Sequence, residues 1–219
     1  MSLLVKICGL STRETLDAAL GAGADMVGFV FFPASPRHLS LAGARELAGA
    51  VRGRAKKVAL TVDADDLTLA DVMGAVKPDI LQLHGRESTA RVKEIRQRFA
   101  VEVMKAVAVK TAADLAASEC YGSVCDRILF DARPPTGASR PGGLGAAFDW
   151  RLLKNLDIGL PFMVSGGLGA HNVEEALRVT GAGGVDVSSG VECAPGVKDP
   201  AMIERFIRAA RASDELAIR

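Results

Sequence analysis

Eight short apolar runs alternate with eight longer amphipathic segments along this chain, and that alternation most narrows what it can fold into. The runs are Leu3–Ile7, Met26–Phe31, Lys57–Val62, Ile80–Leu83, Glu102–Ala106, Arg127–Phe130, Phe162–Val164 and Gly184–Val187. Each is short enough for a buried strand. Between and after them, helical patterns cover Thr12–Ala22, Ala42–Val51, Leu67–Val76, Ser88–Arg98, Ala112–Ser118, Trp150–Leu156, Asn172–Val179 and Pro200–Ala212. Ser11, Ser40, Thr111, Asp149 and Asp199 stand where helix N-caps belong, and Pro200 suits a first helical turn. Strand–helix alternation builds parallel sheets. Eight such units, at roughly 27 residues each, match a (β/α)8 TIM barrel, here one domain over residues 1–219. A doubly wound sheet is the structural alternative. Against it, Cys8-Gly9-Leu10-Ser11 follows the first strand in place of a G-x-G-x-x-G turn.

Charge and composition remove several function classes. The formal net charge is +1, with no Lys/Arg-rich run and few aromatic residues, which speaks against nucleic acid as a partner. No apolar stretch approaches the length of a membrane span. The start, Met1-Ser2-Leu3-Leu4-Val5-Lys6, has no basic leader, so a cytoplasmic protein is expected. The four cysteines show no C-x-x-C spacing and the three histidines form no metal motif, so no metal site is expected. No self-complementary surface stands out. A monomer is the default expectation, with a homodimer as the alternative.

Side chains two apart on a strand share a face. Leu4, Lys6 and Cys8 therefore point one way, and Val5 and Ile7 the other. By the same rule Gln82 goes with His84, Leu129 with Asp131, and Asp186 with Ser188. In a barrel the apolar faces meet the helices, and the polar ones converge inside near the C-terminal mouth. Cys8, His84, Asp131 and Asp186 would then meet at one rim. Lys6 is expected to pair with Asp186, since the first and last strands of a closed barrel are neighbours. Each residue also has a plainer reading. Cys8 would be a small buried hydrophobe, Asp131 a loop cap, His84 a structural hydrogen-bonding group and Arg37 a surface charge instead of a carboxylate-binding fork. His38 and His171 read as surface residues, and Cys120, Cys125 and Cys193 as inert.

Two Gly-containing turns point to the class of ligand. Ser165-Gly166-Gly167-Leu168 follows the seventh strand and Ser188-Ser189-Gly190 the eighth. Adjacent turns of this kind expose backbone N–H groups and suit a phosphate monoester, and barrels often hold phosphate there. The segment 132–147, rich in Pro and Gly, is a candidate lid over the same rim.

Taken in order, Val5-Lys6-Ile7-Cys8-Gly9-Leu10, Ser35-Pro36-Arg37, Leu81-Gln82-Leu83-His84-Gly85, Phe130-Asp131, Phe148-Asp149-Trp150, Ser165-Gly166-Gly167-Leu168 and the run Val185 to Glu192 resemble the phosphoribosylanthranilate isomerases of tryptophan biosynthesis. The resemblance spans residue 5 to about residue 200. It implies a β/α barrel, no cofactor, and an Amadori rearrangement of an N-phosphoribosylated anthranilate. Carried over by position, it makes Cys8 the general base and Asp131 the general acid. Arg37 becomes the grip on the anthranilate carboxylate. Gly166, Gly167, Ser188, Ser189 and Gly190 become the phosphate site, with His84 and Asp186 further pocket positions. Leu144 departs from the pattern, standing where a Thr or Asn is expected, and supplies no polar side chain.

That chemistry needs an acid on the furanose oxygen and a base at C2′. Desolvation would favour a protonated Asp131, and the positive charge of Lys6 is expected to bias Cys8 toward the thiolate. Related barrels fit less well. An indole-forming synthase needs a Lys–Glu set that has no place here, an epimerase needs more histidines, and the aminoaldose isomerase of histidine biosynthesis uses two aspartates. A non-catalytic phosphosugar-binding barrel would keep the Gly turns and could dispense with Cys8 and Asp131.

Overall fold

The computed structural model describes residues 2–138, 140–145 and 147–217, the last four by backbone alone. Eight parallel strands close into a barrel in the order β1 to β8, with β8 paired back to β1. They are β1 (Leu4–Cys8), β2 (Met26–Phe31), β3 (Lys56–Thr61), β4 (Ile80–Leu83), β5 (Glu102–Val109), β6 (Arg127–Ala132), β7 (Phe162–Val164) and β8 (Gly184–Val187). The helices are α1 (Arg13–Gly21), α2 (Leu41–Val51), α3 (Asp66–Val76), α4 (Thr89–Phe99), α5 (Ala112–Ala116), α6 (Val173–Thr180) and α7 (Pro200–Ala217). Among the described residues no helix is long and apolar enough to cross a membrane.

All eight expected strands are present. One expected helix is missing. Trp150–Leu156 is not a helix: one 3-10 turn, Trp150–Leu153, ends as Lys154 becomes extended and Asn155 takes a positive φ of 59°. A short antiparallel hairpin, β9 (Glu192–Ala194) and β10 (Val197–Lys198), follows β8 and was not anticipated. The cap of α1 is Thr12, whose side chain accepts the Thr15 N–H, and not Ser11. Ser40 caps α2 as expected, and Asp199 accepts the Met202 N–H at the start of α7.

The floor of the barrel repeats one device. Asp25, Asp79 and Asp126 stand just before β2, β4 and β6. Each carboxylate accepts a backbone N–H from the preceding strand: Val5 at 2.7 Å, Lys57 at 2.7 Å and Val103 at 2.9 Å. Each aspartate N–H donates in turn to the carbonyl of the same residue. Three strand pairs are thus locked in register, which fixes which residues face inward.

That register sorts the interior into layers. Outward residues such as Val5, Ile7, Phe29, Leu81, Phe130 and Val185 pack under the helices. Inside, Leu4, Met26, Val58, Ile80, Met104, Leu129 and Met163 fill the lower barrel. Cys8, Val30 and Leu60 form the upper apolar layer. Lys6 lies between them in register with Asp186, and its ammonium donates to that carboxylate at 2.8 Å. The pairing expected from strand parity is present.

A second buried ion pair holds the upper edge between β3 and β5. The Lys105 ammonium donates to the carbonyls of Leu83 and Gly85, at 3.2 and 2.8 Å, and to Glu87 at 2.9 Å. The Glu87 carboxylate accepts the N–H groups of Gly85 and Asp63. The peptides on both sides of His84 are therefore clamped. Removing one partner of a buried pair strands the other charge. Lys105→Met is expected to lower unfolding free energy by about 3–5 kcal/mol in urea titrations followed by circular dichroism.

Candidate active site

The site grows out of strand ends. Cys8 is the last residue of β1 and points inward with 4% of its surface exposed. Gly28 stands opposite on β2, and a Cβ there would lie 3.1 Å from the Cys8 sulfur and 3.3 Å from the Lys6 ammonium. The missing side chain is what lets a thiol and a lysine share that wall. Burial works to lower Lys6, but attraction to Asp186, and then to Cys8, outweighs it and holds the ammonium above the usual lysine range. For Cys8 the balance overturns the expectation. Burial pushes the thiol up, Lys6 pulls it down, Asp186 adds an upward push, and the net shift is upward. Lys6 acts in the expected direction but does not outweigh the loss of water.

Asp131 lies near the end of β6 with 6% of its surface exposed. One carboxylate oxygen accepts the Ala132 N–H at 2.8 Å, and the other is 3.3 Å from His84 Nε2. His84 Nδ1 lies 2.9 Å from the Gln82 amide nitrogen. With that amide donating, Nδ1 is the acceptor and Nε2 carries the proton that faces Asp131. Sequence parity placed Gln82 and His84 on one face without foreseeing this chain. Gly142 lies over both groups, since a Cβ there would come within 2.6 Å of Asp131 and 2.9 Å of His84. Of the segment read as a candidate lid, Ala132, Pro134 and residues 140–145 line the site; Ser139 and Ala146 lie outside the described residues.

Arg37 is buried and is no surface charge. Its Nε and Nη2 donate to the two oxygens of Glu192 at 2.6 and 2.7 Å, and Nη2 also reaches the Gly143 carbonyl at 3.1 Å. Nη1 lies against Gly143, where a Cβ would be 2.5 Å away. Lys198 donates to Glu192 at 2.6 Å and to the Ser188 carbonyl at 2.9 Å. Hydrogen bonds from Arg37 and Lys198 more than offset burial and hold Glu192 below the usual carboxylate range. Burial pulls Lys198 down despite Glu192, and the nearby Arg37 adds to that. Gln82, Glu192 and Lys198 were not singled out as site residues. The only sequence signal was that two of them stand in the runs Gln82–His84 and Val185–Glu192.

The two turns meet side by side. Gly166 and Gly167 have φ of 83° and 65°, a left-handed conformation that favours glycine. A Cβ on Gly190 would overlap the Leu168 carbonyl oxygen, so only glycine lets the second turn approach the first this closely. Among the described residues, the backbone N–H groups of Gly167 and Leu168 donate no hydrogen bond. Cys8, Arg37, His84, Asp131, Asp186 and all five turn residues line one cleft. Val30, Phe32, Leu60, Val62 and Leu144 give it an apolar wall. Leu144 is 38% exposed and contributes apolar surface where a polar side chain was expected. His38 and His171 are exposed, as are Cys120 and Cys193, while Cys125 is buried away from the cleft. Among the described residues no group of three or more His, Cys, Asp or Glu side chains is gathered as for a metal ion.

Comparison with known proteins finds relatives over the whole chain. The family model for N-(5'phosphoribosyl)anthranilate (PRA) isomerase matches residues 5–209. The N-(5'-phosphoribosyl)anthranilate isomerase of Rhodopseudomonas palustris strain BisB18 is 70% identical over 218 residues, and that of Bradyrhizobium diazoefficiens is 70% identical over 223; each alignment covers 100% of both chains. The crystal structure of the Thermotoga maritima phosphoribosyl anthranilate isomerase is 34% identical, with a TM-score of 0.86, over 96% of this chain and 99% of that one. A crystal structure of a phosphoribosyl anthranilate isomerase in complex with reduced 1-(o-carboxyphenylamino)-1-deoxyribulose 5-phosphate is also 34% identical, with a TM-score of 0.84 over the same shares. The chain belongs to the N-(5'-phosphoribosyl)anthranilate isomerase family.

Proposed function

We propose that this chain catalyses the cofactor-independent Amadori rearrangement of N-(5'-phosphoribosyl)anthranilate to 1-(2-carboxyphenylamino)-1-deoxyribulose 5-phosphate, a step of tryptophan biosynthesis, with Asp131 as general acid and Cys8 as general base. The observation that carries the reading is one cleft lined by a thiol from β1, a carboxyl from β6, an arginine and a pair of Gly turns. Asp131 gives its proton to the furanose oxygen, and the C1′–O bond breaks to leave an iminium ion. The Cys8 thiolate then takes the C2′ proton. The resulting enolamine gains a proton at C1′ and loses its C2′ hydroxyl proton, which makes the ketone. The iminium acts as the electron sink, so the residues need only move protons. The Gly166–Gly167 and Ser188–Gly190 turns hold the phosphate. The apolar wall takes the aromatic ring. Arg37 meets the carboxylate through Nη1, since Glu192 occupies its other edge. Holding both ends sets the pentose between acid and base.

Asp131→Asn and Cys8→Ser are each expected to lower kcat about 10²–10⁴-fold with far smaller changes in KM. Arg37→Ala should mainly raise KM. The fluorescence loss of phosphoribosylanthranilate measures all three, and near-wild-type turnover by Asp131→Asn would refute its role. The upward shift of Cys8 leaves its thiol protonated at neutral pH in the free enzyme. The thiolate ultraviolet absorbance that Cys8→Ser removes should therefore appear only above the ordinary cysteine value; its appearance below that value would contradict the upward shift. Gly190→Ala would force the two turns apart. Calorimetric titration with inorganic phosphate should show affinity weakened roughly tenfold or more, about 1.4 kcal/mol.

A further inference from the structure

Two buried charges sit beside the cleft with no part in the proposed chemistry. Glu192 and Lys198 face each other across the β9–β10 hairpin. Their side chains are 4% and 1% exposed, and that of Arg37 is 4% exposed. Every strong acceptor position is taken. Glu192 Oε1 receives Arg37 Nε and Lys198 Nζ, both at 2.6 Å. Oε2 receives Arg37 Nη2 at 2.7 Å and the Gly196 N–H at 3.1 Å. Lys198 also donates to the Ser188 carbonyl at 2.9 Å and lies 3.2 Å from the Ser188 hydroxyl, which itself donates to the Cys8 carbonyl. The hairpin tip is wedged in place: Gly196 has a φ of 83°, and a Cβ there would lie 2.7 Å from the Pro36 carbonyl oxygen, next to Arg37.

An unbroken path of charged hydrogen bonds thus runs from Arg37 through Glu192 and Lys198 to Ser188. Its two ends are the proposed grips on the carboxylate and the phosphate, and a role for the path in binding rests on that assignment of the site. Apolar packing would join the same loops without the desolvation penalty that three buried charges carry. It would not fix direction. A bidentate carboxylate holds a guanidinium in one plane, and the lysine ties that plane to the turn after β8.

We infer that Glu192 and Lys198 are positioning residues that set the span between Arg37 and the Ser188 turn, so that the site selects a molecule with a carboxylate and a phosphate at that separation. Two ends held as one unit bind a two-ended ligand more tightly than independent grips would. The test compares wild type with Glu192→Gln, which keeps the side-chain volume, and with Lys198→Met. Calorimetry measures Kd for reduced 1-(o-carboxyphenylamino)-1-deoxyribulose 5-phosphate and, separately, for inorganic phosphate and for anthranilate. In each variant the two-ended compound should weaken about tenfold or more beyond the product of the two single-ended losses. Near-ultraviolet circular dichroism checks the fold, and Glu192→Gln carries the test if Lys198→Met does not fold. Losses that only multiply, or no loss at all, overturn the link while the assignment of the site stands. Failure of the wild type to bind the two-ended compound overturns the assignment and the link together.

Discussion

Closure of the sheet, through the pairing of β8 with β1, is the constraint on which the site depends. It brings Lys6 opposite Asp186 although 180 residues separate them. Since side chains alternate across a strand, the register that aligns those two also turns Cys8 inward one step higher. The carboxylates of Asp25, Asp79 and Asp126 hold the same register from below. A slip of one residue in β1 would bury Val5 and Ile7 inside and send the thiol toward the helices.

Electrostatics at the mouth are governed by burial as much as by pairing. Lys6 keeps its charge because Asp186 and Cys8 outweigh desolvation. Cys8 has no such surplus and is held as a thiol. Burial pulls Lys198 down, and the nearby Arg37 adds to that against the upward pull of Glu192. Burial thus works against charge on both the thiol and Lys198, while the Lys6 ammonium is kept by its partners.

Glycines set how closely the pieces approach. Gly28 makes room for the thiol beside Lys6, Gly142 lets the loop after β6 lie over Asp131 and His84, and Gly190 lets the two final turns touch. In each case the absent side chain decides the geometry. The clamp of Lys105 and Glu87 on the peptides around His84 does the complementary task of holding a residue still.

The eight strands, their inward and outward faces and the Lys6–Asp186 pair were legible in the sequence, because they follow from a period of two and from the order of strands around a closed sheet. Arg37 and the turn residues were found through short motifs and a family resemblance, and the structure gathers them in the same cleft. The unforeseen helix cap at Thr12, the 3-10 turn at Trp150–Leu153 and the β9–β10 hairpin come from segments too short for a period to register. Quantities that depend on distant neighbours could be read only from the folded chain. Whether Lys6 or desolvation prevails at Cys8 depends on how much water the closed barrel excludes. Whether Arg37 stands free or grips Glu192 depends on a hairpin 155 residues away folding back beside it. Neither balance is written in any local pattern, because each is a sum over groups that the chain brings together only once it is folded.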